Sequence, residues 1–114
     1  MPKEAKDKRR FLRVKVQAPL RYQLRGKPDF ASSVAENISI GGLSFSNDKF
    51  ISPDTLLTLE INVLCRSLRS IARVAWATGL PYGNRFRNGV EFLEIDNFDK
   101  KYLTDYINMQ AEKL

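Results

Sequence analysis

The chain has no histidine, one cysteine and one tryptophan in 114 residues, and each scarcity removes a class of function. Without histidine, and with a single thiol, it lacks the ligands of a zinc cluster and the common nucleophile–base pairs. Cys65 cannot form an internal disulfide, which fits a reducing cytoplasm. No apolar stretch approaches the roughly 18 residues of a membrane span. The charged opening segment from Met1 to Lys8 is not followed by the apolar run of a secretory signal. Carboxylates are the acid–base groups that remain, but Asp48, Asp54, Glu60, Glu91 and Glu94 fall singly in turns or on alternating strand positions. No pairing names a reaction, so an enzyme is not expected.

What is present describes one soluble domain, with 43% hydrophobic and 28% charged residues. The placement of charge is more informative than its total of +6. Residues 1–15 carry seven basic and two acidic side chains, a surplus of five, leaving the other 99 residues with a surplus of one. A basic leader of about 13 residues on a nearly neutral body points to an anionic partner met by the N-terminus. It does not point to the broad basic face of a duplex-DNA binder. A flexible, merely solubilising tail is the plainer reading of the same residues.

Behind the leader the hydrophobic period is two. Val14, Val16, Ala18, Leu20, Tyr22 and Leu24 alternate with polar residues, and Pro19 among them argues for an edge or a bend. A second strand through Val34, Ile38 and Ile40 reaches the Gly41-Gly42 pair, after which Leu43 and Phe45 resume. Leu57 to Val63 and Leu68 to Ala77 read as two more strands; Phe86, Val90 and Phe92 mark the last, with Gly89 as a bulge or close-approach point. From Asp96 or Asn97 as cap, apolar residues at helical spacing predict a helix over about 97–113. About six strands without intervening helices predict a mainly β fold, a small antiparallel barrel over residues 14–114. The closing helix covers an open end of it or packs on a partner, including a second copy of the chain.

Two short elements stand out. Arg9-Arg10-Phe11-Leu12-Arg13 brings forked cationic donors to the start of the first strand, and Asn37-Ile38-Ser39-Ile40-Gly41-Gly42 brings an amide, a hydroxyl and bare backbone amides to a turn. By the two-residue period Asn37 and Ser39 share an outward face opposite Ile38 and Ile40, and Gly42 lets the backbone be approached closely. An Asx/Ser turn with glycines serving a tight hairpin accounts for the second element without a ligand. Trp76 shares a face with Val74, which places it in the core; stacking on a base at the rim is the alternative.

The spacing Arg-x-x-x-Arg, met by Arg9 and Arg13, followed by Asn-x-Ser-x-x-Gly, met by Asn37, Ser39 and Gly42, resembles the PilZ domain family over nearly the whole chain. Arg73-Val74-Ala75-Trp76 and Gly89-Val90-Glu91-Phe92 look like the strands that close such barrels. The resemblance implies a six-stranded antiparallel barrel and a bacterial receptor for the second messenger cyclic di-GMP, with no further cofactor or metal. It assigns the chief contacts to Arg9 and Arg13, with Arg10 in support. The chemistry is apt, since a guanidinium fork meets the adjacent O6 and N7 acceptors of guanine with two hydrogen bonds, or clamps a phosphate. The expected mechanism is ordering of the leader on the ligand, signalled to an unidentified downstream protein. A nucleotide-independent interaction module of the same fold, and a single-stranded nucleic-acid binder, are the alternatives.

Overall fold

The period-two segments close on themselves. The computed structural model describes residues 12–112, with strands β1 (Val14–Leu24), β2 (Ala31–Ile38), β3 (Gly42–Asn47), β4 (Leu56–Val63), β5 (Arg66–Gly79) and β6 (Phe86–Ile95), then helix α1 (Asn97–Glu112). The strands form a closed barrel in the order β1-β2-β3-β6-β5-β4, every neighbouring pair antiparallel. Closure leaves no edge strand. Pro19 therefore marks a bend, next to a register shift between Lys15 and Ala18, and β4 pairs with β1 only from Leu20 onward.

Alternation sets the interior. Leu57, Leu59, Ile61 and Val63 of β4 are all buried, as are Leu20 and Tyr22 of β1 and Leu43 and Phe45 of β3. The Tyr22 and Phe45 rings meet with centroids 5.0 Å apart. Deeper polar groups bond one another: Asn47 Nδ2 donates to the Tyr22 hydroxyl at 3.0 Å and Asn88 Nδ2 to Asn47 Oδ1 at 3.0 Å.

Asp96 is the helix cap, its Oδ2 accepting from the Phe98 amide at 2.9 Å and the Asp99 amide at 3.4 Å. Leu103 and Ile107 are buried against the chain's own barrel. The Tyr102 hydroxyl donates to the Val63 carbonyl at 3.1 Å and Asp99 pairs with Arg66 at 3.0 Å, so α1 closes the barrel end where β4 turns into β5. No helix among the described residues is long and apolar enough to cross a membrane.

Candidate functional site

The barrel's register places one row of residues across its outer face. Lys15 of β1 pairs with Asn37 of β2, Asn37 with Ser44 of β3, Ser44 with Gly89 of β6, and Gly89 with Trp76 of β5. Arg13, just ahead of β1, donates from Nη1 to Asn37 Oδ1 at 3.1 Å. The described parts of the two sequence elements, 24 residues apart, thus meet directly. Arg9 and Arg10 lie outside the described residues.

Two β-bulges aim this row. Ala35 pairs with Phe45 and Asn37 with Ser44, so two steps on β2 oppose one on β3; Ala35 faces the core and Asn37 faces out. On β5, Val74 pairs with Val90 and Trp76 with Gly89, again two steps against one. That shift overturns the core placement of Trp76: Val74 is fully buried, whereas Trp76 lies on the opposite face and is 40% exposed. Trp76 thus sits on the outer face of the barrel. A Cβ on Gly89 would collide with Cε2, Nε1 and Cζ2 of Trp76, so the indole lies directly on the glycine.

Ser39, Gly41 and Gly42 are placed differently from expectation. β2 ends at Ile38, so the two-residue period stops before Ser39, which turns inward and is 2% exposed. Its hydroxyl accepts from the Gly41 amide at 3.1 Å and donates to the Gly42 carbonyl at 3.4 Å, and its own amide donates to the same carbonyl at 2.8 Å. Neither the hydroxyl nor the Gly41 N–H is bare. Gly41 also accepts from the Phe92 amide at 2.9 Å, which ties the turn to β6. Gly42 is required by packing, because a Cβ there would run into the carbonyl oxygen of Val90. These three residues build the turn that follows Asn37, and among the described residues Arg13, Asn37 and Trp76 are the predicted ones whose side chains reach the surface.

Ion pairs flank the row. Arg73 bonds Glu91 and, at 2.6 Å, Asp54. These hydrogen bonds, Glu91's first, raise its pKa above the ordinary value and spend its charge locally. On the other side Arg87 bonds Glu36 at 2.9 Å, and Glu36 accepts from the Ser46 hydroxyl at 2.8 Å. Lys15 and Arg13 remain at the β1 end of the row, where an open groove of about 1060 Å³ begins at Lys15 and runs along β2 past Glu36 and Ser46 to Arg85. Sequence reasoning missed Ser44, although its place between the inward Leu43 and Phe45 signals an outward side chain.

A family model described as PilZ domain matches residues 7–109. Among curated proteins no match was found. Solved structures share the fold. The Bacillus subtilis inhibitor of motility, MotI/DgrA, superposes with a TM-score of 0.78 at 18% identity over 90% of this chain. This chain spans about half, 51%, of the length of MotI/DgrA. The PilZ domain of YcgR from Escherichia coli, solved with c-di-GMP, gives 0.73 at 13% identity, covering 91% of this chain and 92% of that one. The PilZ domain of CeSA from a cellulose-synthesizing bacterium gives 0.58 at 19% identity, covering 89% and 96%.

Proposed function

Because the chain belongs to the PilZ domain family, we propose that it is a cytoplasmic receptor for cyclic di-GMP whose basic leader folds over the Asn37–Trp76 row. The observation that carries this reading is the 3.1 Å hydrogen bond from Arg13 to Asn37, which joins the described ends of the two motifs. Arg13 brings a guanidinium fork suited to a guanine edge or a phosphate, and Trp76 offers an indole face on which a purine stacks. Arg9 and Arg10 enter through their spacing from Arg13, closing on the dinucleotide from the leader side. The c-di-GMP in the YcgR domain structure supports the choice of ligand.

Five of the described carboxylates, Glu36, Asp54, Glu60, Glu91 and Asp99, each serve an arginine, which supports a binding role over a catalytic one. Order gained by the leader reshapes the surface beside Trp76 and favours or releases a downstream protein. Titration calorimetry of Arg9→Ala and Arg13→Ala with cyclic di-GMP, and with its linear and adenine analogues, tests the assignment. Each variant is expected to bind about tenfold or more weakly, the cost of a hydrogen bond to a charged group. Affinities within a factor of two of the parent would end it.

A further inference from the structure

We propose that the hydroxyl of Ser44 is a further recognition group of this site, donating a hydrogen bond to an acceptor on the edge of a purine once the Trp76 indole lifts from Gly89. The inference rests on the nucleotide reading above. Ser44 is 1% exposed, and its Oγ has no hydrogen-bond partner among the described residues. The other buried serines are satisfied: Ser39 bonds its turn, Ser46 bonds Glu36, and Ser70 donates to the Glu94 carbonyl at 2.9 Å. A buried hydroxyl without a partner destabilises the fold, and alanine would fill nearly the same space. Packing therefore does not explain the oxygen.

Its position does. Ser44 is the middle of the row, paired laterally with Asn37 on one side and Gly89 on the other. Neighbouring strands lie about 4.8 Å apart, so a planar base laid along the row spans both neighbours. It meets the Asn37 acceptor, then the Ser44 donor, then the indole. In this proposal the cover is Trp76, a 40% exposed ring at a bulge, resting on Gly89, the lateral neighbour of Ser44, which has no side chain to hold it. As the one tryptophan in the chain, it reports its own movement by fluorescence.

The test is a calorimetric titration of the parent, Ser44→Ala and Asn37→Ala with cyclic di-GMP, with thermal melts of each protein free of nucleotide. Ser44→Ala is expected to bind about three- to tenfold more weakly, the range of one neutral hydrogen bond. It should also melt at a higher temperature than the parent, because the unpartnered oxygen is gone, and keep the Trp76 emission change at saturation. Affinity unchanged within twofold, while Asn37→Ala loses binding, overturns the role of Ser44 and leaves the nucleotide reading intact. Weaker binding with a lower melting temperature means a packing role and overturns it too. A parent that does not bind the dinucleotide removes both.

Discussion

Two glycines near the row lack a Cβ for different reasons, and substitution separates them. At Gly42 the added atom meets the Val90 carbonyl, a backbone group locked in the β3–β6 ladder; at Gly89 it meets the outer part of one indole ring. Backbone yields poorly and a half-exposed side chain swings away. Gly42→Ala is expected to cost about 3 kcal/mol or more, the upper range of overpacking. Differential scanning calorimetry would show this as a melting temperature lowered by more than about 10 °C. Gly89→Ala should cost no more than about 1 kcal/mol, while Trp76 emission shifts to the red as the ring moves into water. A severe loss in both variants would mean the indole is wedged in place, against the movable cover argued for Ser44.

Across β1, β4 and β5, on the barrel wall, Arg21 pairs in register with Glu60 and Glu60 with Arg69. The carboxylate of Glu60 accepts from Arg69 at 2.7 Å and from Arg21 at 2.9 Å. Hydrogen bonds from Arg69 and then Arg21 hold its pKa below the ordinary 4.5, against a smaller opposing effect of burial. A carboxylate with a depressed folded pKa stabilises the protein above its unfolded value, and that contribution disappears as the pH falls through the folded value. Glu60→Gln should therefore melt below the parent at pH 7, with the gap narrowing below pH 4.5 and closing in stronger acid. Parallel melting curves for the two proteins from neutral to acid pH would show that the three-strand ladder contributes nothing through ionisation.

For the molecule as a whole, charge is divided between the first 15 residues, with a surplus of five, and the other 99, with a surplus of one. The body also neutralises itself locally, through Arg73 with Glu91 and Asp54 and through Arg87 with Glu36. A ligand with two phosphates displaces few counterions, whereas a strand of nucleic acid tracked along a basic surface displaces many. Cyclic di-GMP affinity is expected to fall with salt at a log–log slope of about 2 or less in magnitude. A slope that steepens with the length of a single-stranded oligonucleotide, at comparable affinity, would favour the nucleic-acid reading instead.

Local pattern was enough for the six strands and for the helix with its Asp96 cap. Side-chain alternation and capping depend on neighbours a few residues away, so they are written in the chain itself. Which way Trp76 faces is not local, because one extra residue against β6 reverses the parity that Val74 establishes. The inward turn of Ser39 likewise depends on where β2 stops pairing, and the need for glycine at position 42 on how closely β6 approaches β3. Sequence determined which residues were available to the site; the partner strands of the closed barrel decided which of them face the solvent.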